Sequence, residues 1–189
     1  MSKNIVFLGI KHCGKSTHGK LLARKLAYQF LDTDDMLVQA YKNEFNCQDA
    51  EAVPRAIMQK HGEEFFRKFE ASVIRDFAAQ QQAAPAVIAL GGGVPCNDFL
   101  SISELKSLGT MVYLSIPLEN AFKRIAAGGI PPFLQGDDPK AKFMELCKKR
   151  IPRYNETADV IIEITGETAP EIFNEYIYNT LKEKNLINI

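Results

Sequence analysis

The run Gly9-Ile10-Lys11-His12-Cys13-Gly14-Lys15-Ser16-Thr17 constrains the fold of this 189-residue chain more than any other feature. It follows the apolar stretch Ile5-Val6-Phe7-Leu8 and precedes a segment, Thr17 to Tyr28, with the pattern of an amphipathic helix. A strand that turns through glycines into a helix lets successive backbone amides converge on phosphate, and the helix dipole adds positive charge there. Bulky side chains would block that approach, which explains glycine at positions 9 and 14. Gly9, His12, Cys13, Gly14, Lys15, Ser16 and Thr17 are therefore expected to line a nucleotide phosphate site. Lys15 would meet the outer phosphates, the Ser16 hydroxyl would ligate Mg2+, and Thr17 would flank the site. The competing reading is an ordinary glycine turn with a surface lysine.

Composition narrows the setting. A hydrophobic fraction of 46% in a chain of this length suits one domain, residues 1–189, with a substantial core. Lysine plus arginine equals aspartate plus glutamate at 23 each, so no global field argues for nucleic acid or an anionic membrane. Cys13, Cys47, Cys96 and Cys147 lie far apart and form no CxxC pair, which disfavours a zinc site or a disulfide framework. No apolar run approaches the roughly 20 residues that span a bilayer. The expectation is a cytoplasmic protein without membrane or nucleic-acid partners.

Short aliphatic runs alternate with helical stretches: Asn4 to Leu8, Phe30 to Leu31, Ala86 to Leu90, Met111 to Ser115, and Val160 to Ile164. This is the rhythm of an α/β protein with a parallel sheet covered on both faces, although strand order is not legible. The polar patch Gln80 to Ala84 reads as a helix end before Pro85. Gly128-Gly129-Ile130-Pro131-Pro132 combines mobility with a helix stop, which suits either a hinged cover or a plain surface loop.

Chemistry gathers at four further places. Leu31-Asp32-Thr33-Asp34-Asp35 follows a predicted strand, and strand ends are where ligands sit in open α/β sheets. If the extended conformation persists, period two puts Asp32 and Asp34 on one side, Asp32 for the metal shell and Asp34 for a substrate hydroxyl proton. The alternative is helix capping by Thr33 or Asp34, with the helix starting near Asp35. In the helix after Gly62, Phe66, Phe69, Val73 and Phe77 form a core stripe, with Arg67 at its flank between Glu63 and Glu70. That arginine is either a solvated ion-pair residue or a guanidinium held by two glutamates and aimed at a carboxylate. Gly91-Gly92-Gly93 permits either a tight turn or close backbone approach to a ligand. Finally, Lys148-Lys149-Arg150-Ile151-Pro152-Arg153-Tyr154 places positive charge before a turn proline, as a solvated helix end or as an anion-binding wall.

Taken together, the phosphate loop, Asp32-Thr33-Asp34, Gly62 to Arg67, Gly91-Gly92-Gly93, Pro132-Phe133-Leu134 and Arg150 to Tyr154 occur in the order and near the spacings of the shikimate kinase family. The resemblance runs from about Lys3 to Ile164. It implies a three-layer P-loop kinase fold with a five-stranded parallel sheet flanked by helices. A lid at about 125–138 and a substrate-binding helical region at about 34–70 would complete it. It also implies transfer of the ATP γ-phosphate to the 3-hydroxyl of shikimate, in aromatic amino-acid synthesis, with ATP and Mg2+. The protein is expected to be a monomer. By position, Lys15 and Ser16 would serve phosphate and magnesium, and Asp32 the metal. Lys15 and Asp34 would be catalytic, Asp34 as the candidate base. Arg67 and Arg150 would hold the substrate carboxylate, Gly91, Gly92 and Gly93 would approach the ring hydroxyls, and Arg124 would stack on adenine.

The chain departs from the family at the lid, where Arg-Pro-Leu-Leu is usual and Pro131 stands at the arginine position. An arginine supplied to a phosphoryl-transfer transition state is worth on the order of 10³-fold or more. Arg124, Lys140 or Arg153 could substitute, the enzyme could be slow, or the substrate could be another hydroxy acid such as gluconate. A nucleotide-binding homologue with weakened catalysis is the remaining alternative. His12 and Cys13 are also bulkier than the family's small residues at the loop apex, and the stretch between Asp34 and Gly62 is longer.

Overall fold

The run Ile5–Leu8 becomes β1, with every residue fully buried. An unbroken apolar run is what a parallel strand covered on both faces requires, each such side chain contributing roughly 1.5–3 kcal/mol on burial. The computed structural model describes residues 3–47, 53–80, 84–165 and 169–187. After β1 come α1 (Lys15–Leu26), β2 (Gln29–Asp32), α2 (Thr33–Glu44), α3 (Pro54–His61), α4 (Glu63–Ala79) and β3 (Ala86–Ala89). A 3-10 turn (Val94–Cys96), α5 (Ile102–Ser107), β4 (Thr110–Ser115) and α6 (Leu118–Ala127) follow. A second 3-10 turn (Pro132–Leu134), α7 (Pro139–Thr157), β5 (Val160–Glu163) and α8 (Pro170–Glu183) complete the order.

The strands form one parallel sheet in the order β2-β3-β1-β4-β5. Every expected strand is present, displaced at its ends by no more than a residue or so. The three motifs at residues 9–17, 32–34 and 91–93 leave the carboxyl ends of β1, β2 and β3, which are neighbours in the sheet. In open α/β sheets ligands bind in that position. Helices α1 and α8 pack together, with α1 against β1, β2 and β3, while α7 meets β4, α5 and α6. A second cluster, Leu37, Tyr41, Ile57, Phe66, Phe69 and Val73, joins α2, α3 and α4 beside the sheet, within the region expected to hold substrate. Residues 48–52 of that region lie outside the described residues, as do Gln81, Gln82 and Ala83 of the polar patch, whose Gln80 ends α4. Among the described residues no helix is long and apolar enough to cross a membrane.

Two local expectations need correction. The helix after β2 begins at Thr33 rather than near Asp35, because Asp32 is its N-cap and accepts from the Asp34 amide. The extended backbone thus stops at Asp32, and Asp34 lies in the first helical turn. Pro152 is not a turn proline: α7 runs through it to Thr157. Proline removes one backbone donor, and tertiary bonds from Arg153 and Tyr154 hold that turn in place.

Candidate active site

The loop between β1 and α1 uses its glycines where no other residue fits. Gly9 has φ +144°, and a Cβ there would lie 2.7 Å from the Leu114 carbonyl oxygen and 2.9 Å from Cys13 Sγ. Gly14, the N-cap of α1, has φ +98°, and its Cβ would come within 2.9 Å of the His18 ring. Lys15 is buried, and its Nζ donates to the carbonyls of Gly9 and Ile10 at 2.9 Å each. Closing the loop on its own lysine keeps the charge at the helix N-terminus. Cys13 is buried against that ammonium, with Sγ 3.7 Å from Nζ, so it supports the loop from below. His12, at the apex, takes a left-handed φ of 64° and is exposed. Burial of part of its ring, then Lys11, Lys15 and Arg124, lower its pKa, which favours the neutral imidazole beside these cations. Arg124 donates from Nη1 to the His12 carbonyl at 3.3 Å, tying α6 to the apex. Ser16 and Thr17 are exposed at the start of α1.

The Ser16 hydroxyl donates to Asp32 Oδ2 at 2.8 Å. The other carboxylate oxygen of Asp32 caps α2 through the Asp34 amide at 3.1 Å. Asp32 therefore both faces the loop and caps α2, a capping role that the sequence pattern assigned to Thr33 or Asp34. Ser16 and Asp32 are hard oxygen donors at a helix N-terminus, a pair suited to Mg2+, which keeps several waters and takes few protein ligands beside phosphate. Asp34 has its pKa raised to about 6, first by burial of the carboxyl group and then by Asp32 and Glu70, with Lys15 and Lys11 opposing.

The glycine triplet is the junction of the site. A Cβ on Gly91 would lie 2.5 Å from Asp34 Oδ1, and one on Gly93 would lie 2.7 Å from Arg67 Nη1. A Cβ on Gly92 would lie 3.6 Å from both the Gly9 carbonyl oxygen and the Lys11 amide nitrogen, and 3.8 Å from Arg150 Nη1. None of the three has a positive φ. Glycine is needed here for close approach, not for an unusual backbone conformation. The Gly91 amide donates to Thr33 Oγ1 at 2.8 Å, the Gly92 carbonyl accepts from Tyr154 (2.6 Å) and Arg150 (3.3 Å).

Arg67 pairs with Glu70 at 3.1 Å and with Glu63 at 3.8 Å, as its spacing requires. Glu70, however, is buried rather than solvated, so the purely solvent-exposed reading of this pair does not hold. Asn97 explains how a carboxylate survives there: its side-chain amide donates to Glu70 Oε2 at 2.9 Å and to the Arg67 carbonyl at 2.8 Å. Burial still raises the Glu70 pKa, against the pull of Arg67 and Asn97. Arg67 and Arg150 both line an open cleft of about 1010 Å³ between α4, the first 3-10 turn and α7. That cleft takes in the arginine end of the site and does not reach the phosphate loop.

Sequence reasoning missed Asn97, Thr33 and the burial of Glu70. Nothing in the local pattern marks an isolated asparagine after Pro95-Cys96. Among the cations considered as replacements at the lid, Arg153 is committed to the Pro95 and Leu100 carbonyls at 3.0 and 3.1 Å. Lys140 pairs with Glu119 at 2.8 Å. Arg124 lies at the loop apex, on the side of His12 and His18.

Comparison with known proteins bears on the family and the fold. The family model for shikimate kinase matches residues 11–181. Shikimate kinase from Francisella philomiragia is 36% identical over 174 residues, covering 92% of each chain. Among solved structures, shikimate kinase from Acinetobacter baumannii in complex with shikimate matches with a TM-score of 0.81 and 29% identity, over 99% of this chain and 97% of that one. Thymidylate kinase from Candida albicans, 15% identical with a TM-score of 0.59 over 100% of this chain and 96% of its own, shares the fold.

Proposed function

Because this chain belongs to the shikimate kinase family, an ATP-dependent kinase family, we propose that it transfers the γ-phosphoryl group of ATP to the 3-hydroxyl of shikimate. The observation that carries this reading is the junction at Gly91–Gly93, where the phosphate loop, Asp34, Arg67 and Arg150 all meet. A donor phosphate on the loop and an acceptor carboxylate on the arginines would then lie on opposite sides of the same three residues.

The roles follow from chemistry. Lys15 and the loop amides around Gly9, His12, Cys13 and Gly14 hold the phosphates, with Thr17 at the flank. Ser16 and Asp32 hold Mg2+, which neutralises phosphate charge when bound. Arg67, kept in orientation by Glu70 and Glu63, makes parallel hydrogen bonds to the carboxylate together with Arg150. The Gly92 backbone approaches a ring hydroxyl, and the Arg124 guanidinium stacks on adenine. Asp34 accepts the proton of the attacking hydroxyl as the new oxygen–phosphorus bond forms and the bond to the ADP leaving oxygen breaks. Residues 125–138 form the lid over one kinase domain, and the protein works as a cytoplasmic monomer.

The test is shikimate-dependent ADP release by pure protein with Mg2+ and ATP, with the product identified by mass as phosphorylated shikimate. Release with gluconate and none with shikimate would overturn the acceptor assignment. Nucleotide binding with no turnover of either acid would overturn the kinase assignment.

A further inference from the structure

Residues 125–138 contain no lysine or arginine, and their charged residues are Asp137 and Asp138. A segment closing over the cleft from α6 and α7 therefore brings no cation of its own. Cations of the loop, the cleft and the lid flank are engaged: Lys15 with loop carbonyls, Arg67 with Glu70, Arg150 with Gly92, Arg153 with Pro95 and Leu100, Lys149 with Glu145, and Lys140 with Glu119.

Lys11 differs from all of these. It is exposed, and among the described residues its side chain has no hydrogen-bond or ion-pair partner. Its amide nitrogen would lie 3.6 Å from a Cβ on Gly92, one residue from the glycine that abuts Asp34 and one from the glycine that abuts Arg67. A lysine stem of four carbons spans about 6 Å, a reach from that point that takes in the glycine triplet and the groups it abuts. Its charge acts on Asp34 and on His12. Lys11, Lys15 and Arg124 crowd one short loop with no carboxylate paired to Lys11, an arrangement that favours an anion between them.

We propose that Lys11 is a catalytic residue of the phosphoryl transfer, its ammonium neutralising the γ-phosphoryl oxygens from the acceptor side while Lys15 holds them from the loop. The role rests on the kinase reading above. In a loose transition state, charge spreads over those oxygens, so a cation on each side stabilises it more than the ground state.

The experiment compares wild type with Lys11→Met and Lys11→Arg. Three readouts are taken: shikimate-dependent ADP release, ADP affinity by titration, and retention of Mg2+-ADP with aluminium fluoride, which imitates the transferring group and needs no turnover. Lys11→Met should lower kcat on the order of 10²-fold and lose most aluminium fluoride retention, with ADP affinity changed less than about threefold. Lys11→Arg should recover at least about a tenth of wild-type kcat. The proposal is overturned if Lys11→Met keeps kcat and retention within about threefold, or if ADP affinity falls in parallel with them. Wild type that ignores shikimate, while Lys11→Met still loses retention selectively, would sink the acceptor assignment and leave Lys11 in its role.

Discussion

The phosphate loop builds its geometry from neighbours in sequence, with Lys15 bonding carbonyls five and six positions back. The acceptor side instead joins Thr33 to Gly91, and Gly92 to Arg150, across 58 positions in each case. In the first region glycine relieves backbone strain, since Gly9 and Gly14 have φ values of +144° and +98°. In the second it removes a side chain from a junction whose backbone any residue could adopt. A locally encoded loop can be read from a short motif and broken by one local change. A junction of distant segments depends on the core that aligns the strands, and damage there should alter substrate handling before it alters nucleotide handling.

Substitutions can break that division. The largest effect is expected for Lys15→Met, which should lower kcat/KM by about 10³-fold or more in the ADP-release assay whatever the shikimate concentration. A loss confined to the shikimate KM would erase the distinction between the two halves. Asp34→Asn should lower kcat on the order of 10²-fold with little change in ATP affinity. The wild-type rate should also fall as pH drops through about 6, because the raised Asp34 pKa protonates the base there. The sign for stability is opposite. A carboxylate whose folded pKa is raised favours the folded state only while protonated, so Asp34→Asn should hold or raise Tm at pH 7.5. A clear fall in Tm with an unchanged pH profile would remove Asp34 from the reaction.

Smaller effects sharpen the acceptor side. Arg67→Lys should raise the shikimate KM about tenfold and leave the ATP KM within about twofold, since an ammonium cannot make two parallel bonds to a carboxylate. Equal rises in both KM values would mean that Arg67 serves the whole cleft. Tyr154→Phe should have the smallest effect. The buried hydroxyl, whose pKa is pushed up by burial and which donates to the Gly92 carbonyl, is worth about 1 kcal/mol. Its loss should lower Tm by about 2–4 °C in a thermal melt, with kcat little changed.

Much of this was legible in the residues. The five apolar runs became the five strands, and Phe66, Phe69, Val73 and Phe77 became a buried stripe. Gly9, Gly14 and Lys15 stand where their motif implies. Boundaries set by side-chain capping were less legible, because Asp32, Thr33 and Asp34 can all cap a helix and only the Asp34 amide's partner decides among them. The continuation of α7 through Pro152 was hidden for a similar reason. Local propensity argues for a stop, and the bonds of Arg153 and Tyr154 to Pro95, Leu100 and Gly92 argue otherwise.

By itself the sequence determined the alternation of strand and helix, the phosphate loop and the types of charge available, because periodicity and glycine placement are properties of neighbours. Only the tertiary structure decided that Glu70 is buried with Asn97 as its partner, and that the glycine triplet touches Asp34, the loop and both arginines. It also decided that Lys11, beside them, has no hydrogen-bond or ion-pair partner among the described residues. Burial and pairing depend on which distant segments the β2-β3-β1-β4-β5 order brings together. That order follows from packing helices on both faces of a twisted sheet, which no short run of residues encodes.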